Sequence, residues 1–255
     1  MRFANKKALI TGASRGIGAA IALKLAGEGA DIILHYRKNS GAAVAVKQEV
    51  EKGGRKAWLY AADLSSADET EKLLLAVKKD HPSLDILVAN AAATSFKPLA
   101  QLEQHHIDRT LNLVVKSFIL LVKGLHPLMR NKNASIVTIS GIDTAKVIPG
   151  HGLLACAKGA LEILTKYFAA ELGPFKIRVN SVNPGLVDTD STRFYLGEAF
   201  EAAATAANAL APGKGVGLPS DVADIVAFLC SEEAGWITGQ TIYADGGISA
   251  ALPLK

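Results

Sequence analysis

The feature that most narrows the possible folds is a glycine-rich turn set between a short apolar run and a helical pattern. Residues 7–11 (Lys-Ala-Leu-Ile-Thr) form the run, and Gly12-Ala13-Ser14-Arg15-Gly16-Ile17-Gly18 follows it directly. Beyond the glycines, Ile17, Ala20, Ile21 and Leu25 recur at helical spacing. Glycines here allow a tight turn and close backbone approach to a pyrophosphate, and the free N–H groups of the helix start face the anion. The spacing is Gly-x3-Gly-x-Gly rather than the commoner Gly-x-Gly-x2-Gly, and its place behind the first strand makes it informative.

The same alternation continues along the chain. Apolar, β-branched runs at 31–36, 56–61, 84–90, 134–140, 177–182 and 240–244 lack clean polar alternation, as strands buried on both faces do. Helical spacing occupies 41–53, 67–80, 103–130, 153–172 and 219–230, with Ser220-Asp221 as the start signal of the last. The pattern predicts an α/β fold: one Rossmann-like, doubly wound parallel sheet of about seven strands with helices on both faces. The 255 residues are read as a single domain, 1–255, because α/β domains often reach about 250 residues. Only 184–218 lacks strand character, and a lid or substrate loop is expected at 186–216.

Composition closes off other classes. With 49% hydrophobic and 20% charged residues the chain is not disordered. Cys156 and Cys230 are too few for a disulfide framework or a four-cysteine zinc site, and both are expected to be buried thiols. No apolar run is read as a membrane span, and Met1–Lys7 is not a signal-peptide core, so a cytoplasmic location is expected. Residues 1–130 hold 19 basic against 12 acidic side chains, and 131–255 hold 9 against 12. No basic helix or aromatic ladder accompanies that excess, which argues for a phosphate-bearing small ligand over nucleic acid.

The Gly12–Gly18 turn resembles that of the short-chain dehydrogenase/reductase family, and further matches follow in order. Asp63-Leu64 resembles the family's adenine contact. Asn90-Ala91-Ala92 resembles its Asn-Ala-Gly motif with alanine at the third position. Asn112 stands where the family has a structural, proton-relaying asparagine. Pro184, Gly185, Val187 and Thr189 resemble the loop on the nicotinamide side, and Asp245-Gly246-Gly247 resembles the C-terminal signature. The resemblance implies a nicotinamide cofactor and, through the helices at 103–130 and 153–172, a homo-oligomer, usually a tetramer.

Charge selects the cofactor. The second strand ends in Leu34-His35-Tyr36-Arg37-Lys38, without the carboxylate that NAD-specific sites present to the ribose 2′-hydroxyl. Arg37, beside Tyr36, and Arg15 offer guanidinium donors to a 2′-phosphate, so NADP(H) is expected.

The catalytic end departs from the family. Most members use Ser and Tyr-x3-Lys. Lys158 fits the lysine, but Leu154 stands at the tyrosine position and Gly141 at the serine position, next to Ser140. The chain is more similar to the NADPH-dependent FabL-type enoyl-acyl-carrier-protein reductases, which use Tyr-x6-Lys; here His151 occupies that tyrosine position. Seven residues of helix advance about 700°, which places His151 and Lys158 on one face if the helix includes both. An imidazole N–H can donate to an enolate oxygen.

The resemblance implies hydride delivery from NADPH to the β-carbon of an enoyl thioester, with His151, Lys158 and Asn112 catalytic and Leu153 and Leu154 facing the acyl chain. The substrate would be a small molecule or an acyl group on a carrier. Two readings stay open beside it: a carbonyl reductase with an altered donor, and a nucleotide-binding homologue in which His151 is an ordinary loop residue.

Overall fold

Each expected run forms a strand in the computed structural model, which describes residues 1–250. The strands are β1 (Lys7–Ile10), β2 (Asp31–Tyr36), β3 (Ala57–Ala61), β4 (Ile86–Ala89), β5 (Ala134–Ile139), β6 (Ile177–Pro184), β7 (Leu186–Val187), β8 (Val216–Gly217) and β9 (Thr241–Ala244). Seven form one parallel sheet in the order β3-β2-β1-β4-β5-β6-β9. The order reverses between β1 and β4, and the crevice at the carboxyl ends of those two strands is where such sheets take ligands.

Both faces of the sheet are buried, which explains the continuous apolar runs. Leu9 packs with Ile33, Leu87, Ile136 and Val179 on one face. Its neighbours Ala8 and Ile10 pack with Ile32, Leu34, Val88 and Val137 on the other. Successive side chains alternate across a strand, so both registers must be apolar. The first face is covered by α3 (Ala67–Asp80), α5 (Ser117–Met129) and α6 (Gly152–Leu172). The second is covered by α1 (Gly16–Gly27), α2 (Ser40–Lys52) and α9 (Pro219–Cys230). Each fully buried Leu or Ile in these layers contributes about 1.5–3 kcal/mol.

Local signals set the helix starts. Asn39 Oδ1 accepts from Ala42 N–H at 3.1 Å ahead of α2, and Ser66 Oγ accepts from Glu69 N–H at 3.3 Å ahead of α3. α9 spans the expected 219–230, with the Asp221 carboxylate accepting from Leu218 N–H at 2.6 Å.

Four expectations are corrected. The helix expected at 103–130 is broken: α4 (Gln104–Leu111) passes through a π-helical turn at Asn112–Lys116 before α5. There Ser117 N–H reaches back five residues to Asn112 O. By length and composition Gln104–Met129 could cross a membrane, contrary to the sequence reading. Its Phe118, Leu121, Val122 and Leu125 instead pack into the core. The stretch 184–218 carries two short paired strands, β7 and β8, around α7 (Asp190–Leu196) and α8 (Ala199–Leu210). Finally, Cys156 is exposed on α6, whereas Cys230 is buried and its thiol is pushed up to about 12 by desolvation.

Candidate active site

The glycine turn closes directly onto the loop after β4. Gly12 and Gly16 adopt left-handed φ values of 65° and 55°, which favour glycine. A Cβ on Gly18 would stand 2.4 Å from Gly12 O and 2.6 Å from Asn90 Nδ2. Asn90 uses that amide to donate to Thr11 O at 2.9 Å and Gly12 O at 3.2 Å. The Thr11 hydroxyl accepts from the backbone N–H groups of Asn90 and Ala91, both at 3.0 Å. Ala92 is exposed, so a side chain is tolerated there where the family has glycine.

Unlike α2 and α3, α1 has no side-chain cap: its N-cap residue is Arg15, and the first N–H groups, Ile17 and Gly18 among them, are left for a ligand. Ser14 lies within the turn, and Thr189, the N-cap of α7, would sit 3.6 Å from a Cβ on Gly16, above the turn. At the other end of the crevice, Arg37 is exposed beside half-buried Tyr36. It pairs loosely with Asp63 at 3.8 Å. Burial alone would raise the Asp63 carboxyl, but the Ser65 hydroxyl and amide and the Arg37 charge outweigh it and hold it low. Leu64 is buried beneath. Pro184 ends β6, Gly185 approaches Asp245 closely enough to exclude a Cβ, and Val187 is buried in β7.

His35 is a residue the sequence reading missed as a support for this turn. Its Nδ1 accepts from Gly12 N–H at 3.2 Å, so Nε2 carries the proton and donates to Ala62 O at 3.0 Å. Desolvation lowers its pKa to about 4. Only its place at the end of an apolar strand hinted at this.

On the catalytic side, Lys158 is 6% exposed and donates to Ile139 O at the end of β5. Burial lowers its pKa to about 8, with the Asp143 charge opposing part of the shift. One turn later on α6, Glu162 Oε1 accepts from the Ser140 hydroxyl at 2.6 Å and the Asn183 amide at 2.8 Å, with the Thr144 hydroxyl at 2.9 Å. Ser140 is therefore committed to Glu162. Asn112 lies half-buried at the head of the π turn, which packs against α6.

His151 is the N-cap residue of α6 rather than a residue inside it, so the shared-face argument with Lys158 does not apply as first stated. Its side chain is 23% exposed, and its Nδ1 lies 3.4 Å from Asp143 Oδ2. The ring packs on Phe96 with centroids 4.5 Å apart, and Phe96 packs on Tyr195 of α7 at 4.6 Å. Leu154 is half-buried, whereas Leu153 is only 5% exposed.

A family model described as "Enoyl-(Acyl carrier protein) reductase" matches residues 12–249. The 1-cyclohexenylcarbonyl-CoA reductase of Streptomyces collinus is 36% identical over 245 residues, covering 96% of this chain and 87% of that protein. A short-chain dehydrogenase from Burkholderia cenocepacia, in complex with NADP, superposes with a TM-score of 0.90 at 35% identity, covering 98% of this chain and 100% of that one. The angucycline C-6 ketoreductase LanV with bound NADP superposes with a TM-score of 0.90 at 34% identity, covering 98% of each chain.

The chain is a short-chain dehydrogenase/reductase. As a member of that family it is an NAD(P)-dependent reductase.

Two pH-linked predictions follow from this reductase's buried groups. His35 has a folded-state pKa below its unfolded value, so its contribution is complete above about pH 6.5. It is lost as pH falls toward 4, by about 3 kcal/mol in all. Urea unfolding of His35→Asn between pH 4.5 and 7.5 should show a flatter acid limb than wild type. Lys158 is charged at neutral pH in both states but desolvated only in the folded one. Lys158→Met should therefore gain stability at pH 7, less the cost of the lost bond to Ile139 O. That gain should shrink as pH rises from 8 toward 10.5, while reductase activity is lost throughout.

Proposed function

We propose that this reductase uses NADPH to reduce α,β-unsaturated acyl thioesters, with His151 as the donor to the substrate oxygen. The observation that carries this reading is the placement of His151 at the head of the lysine's own helix, beside an aromatic wall. No hydroxyl serves at Leu154 or Gly141, and Ser140 is already engaged.

The residues present fit NADP(H). The Gly12–Gly18 cradle excludes any Cβ at Gly18 and leaves the α1 amides free, as a pyrophosphate requires. Arg37 and Arg15 are exposed cations at the adenosine end, and the pair Arg37 makes with Asp63 is of the weak surface kind. When bound, the cofactor supplies hydride. Lys158, whose ammonium lies at the end of β5, is assigned to the nicotinamide ribose.

In enoyl reduction the electron pair released by hydride addition moves to the thioester oxygen. A donor there stabilises charge that exists only in the transition state. His151 needs to hold that oxyanion while the α-carbon takes its proton, a lighter demand than full protonation of an alkoxide. The relative that acts on 1-cyclohexenylcarbonyl-CoA and the matching family description support this reading. The substrate is a small acyl thioester or one borne on a carrier. Reduction of a ketone is the second reading, favoured by the ketoreductase neighbour and by the Phe96–Tyr195–Phe194 wall, which suits a flat ring system. The same proposal includes a homotetramer through α5 and α6, where Ile119, Ile163 and Tyr167 are exposed.

Purified protein is expected to oxidise NADPH with crotonyl-CoA faster than with acetoacetyl-CoA, and His151→Ala should lower kcat by about 10²–10³-fold. Turnover of acetoacetyl-CoA alone would transfer the assignment to ketone reduction. No turnover of either would defeat it. Arg37→Ala should raise the KM for NADPH by about 10–100-fold, the worth of a charge-assisted contact, and leave that for NADH nearly unchanged. Equal effects on both cofactors would remove Arg37 from the 2′-phosphate site.

A further inference from the structure

Gly141 and Asp143 look unrelated in sequence, yet the fold makes them one feature. β5 ends at Ile139, and the chain runs through extended Gly141 into the 3-10 turn Ile142–Thr144. That turn folds the Asp143 side chain back under Gly141. A Cβ on Gly141 would stand 2.8 Å from Asp143 Oδ1, well inside contact distance. The carboxylate thus fills the room in which most members of the family carry the serine side chain.

Its surroundings are unusual for an acid. The Asp143 side chain is 5% exposed, and its Oδ2 lies 3.4 Å from His151 Nδ1. Oδ1 is buried without a hydrogen-bond partner among the described residues. Desolvating a carboxylate so fully is costly unless a cation or donor faces it. Two groups do: the His151 ring and, through charge alone, the ammonium of Lys158.

We infer that Asp143 is the positioning residue for His151, and that Gly141 leaves the space in which the carboxylate sits against the ring, so that a side chain there would displace it. The inference rests on His151 being the donor proposed above. Asp143 accepts from Nδ1–H, and Phe96 holds the ring from another side. This fixes Nε2 as the free edge of the imidazole. In its protonated form the ring presents Nε2–H to the substrate oxygen. Hydride adds to the β-carbon, and the displaced π pair moves onto the oxygen, where Nε2–H meets it. The ring keeps its proton and holds the enolate oxygen while the α-carbon takes a proton from solvent, so the C–O π bond re-forms and the substrate has gained one hydride and one proton. A 3.4 Å separation is long for the hydrogen bond, as is common before substrate closes a site.

The test compares Asp143→Asn, Gly141→Ser, His151→Ala and the double variant Asp143→Asn/His151→Ala. Crotonyl-CoA and acetoacetyl-CoA serve as substrates, NADPH binding is read by fluorescence, and imidazole tautomers by 15N NMR. Asp143→Asn and Gly141→Ser should each lower kcat by about 10–100-fold, the usual effect of losing an outer-shell partner. KM and NADPH affinity should stay within about threefold, since neither residue is assigned to ground-state binding. Gly141→Ser is the sharper case, because it restores the family's serine and is still expected to lose activity. The double variant should be no slower than His151→Ala alone. The His151 signals should move from the Nδ1–H to the Nε2–H form in Asp143→Asn. Losses that multiply in the double variant, an unchanged tautomer, or a Gly141→Ser enzyme as fast as wild type would each overturn the assignment. A wild-type rate in His151→Ala would instead overturn the donor reading, and the NMR result would still decide whether Asp143 orients the ring.

Discussion

The contact between the glycine turn and the loop after β4 is the constraint from which the rest of the molecule follows. Gly18 lies against Gly12 O, and Asn90 ties Thr11 and Gly12 to the end of β4. These bonds lock the carboxyl ends of β1 and β4 side by side at the point where the strand order reverses. A crossover helix leaves each strand toward an opposite face there, so the backbone must open a crevice. His35 buttresses the turn from the β2 side with a bond to Gly12 N–H. Its preference for the neutral form is a consequence of the same burial that fixes the turn.

The catalytic side is built on a different balance. Lys158 is drawn to the carboxyl end of β5 by a helix whose same face packs the core, and the position is unfavourable for its charge. Of two nearby acids, one braces the helix and the other answers that cost. Glu162 gathers Ser140, Thr144 and Asn183 into a polar brace that joins α6 to the ends of β5 and β6. Asp143 contributes a charge that favours the ammonium. A site that tolerates such desolvation is stiff and ready before ligand arrives, which is what electrostatic preorganisation requires.

Much of this was legible in the sequence, for physical reasons. Strands buried on both faces must be apolar throughout, so the seven sheet strands were visible as runs, with ends off by a residue or two. The glycine spacing was legible because only glycine meets the steric demand at Gly12, Gly16 and Gly18. Long-range side-chain pairings were not legible. Nothing in the run Ile32–Tyr36 says that His35 will meet Gly12, and nothing in Gly141-Ile142-Asp143 says that the acid will fold back under the glycine. The π turn at Asn112 was hidden because a five-residue hydrogen-bond slip leaves the apolar periodicity almost intact. The role of Leu153 was not legible, because an apolar residue that lines a substrate site is indistinguishable, in one dimension, from one that only packs.

The arrangement around His151 also bears on whether this chain lost its chemistry or changed it. Simple loss of a tyrosine would leave a leucine or histidine in a cavity and place no demand on the neighbours. Here two departures from the family's motifs meet one acid. Gly141 removes a side chain, Asp143 enters the space, and His151 stands within reach of its carboxylate. A carboxylate buried at 5% exposure with one oxygen unpaired is a standing cost to the fold. The Lys158 ammonium, which the Asp143 charge favours, offsets part of that cost in any case. Holding the His151 ring in one orientation gives the same carboxylate a second use, the one the proposed donor role requires.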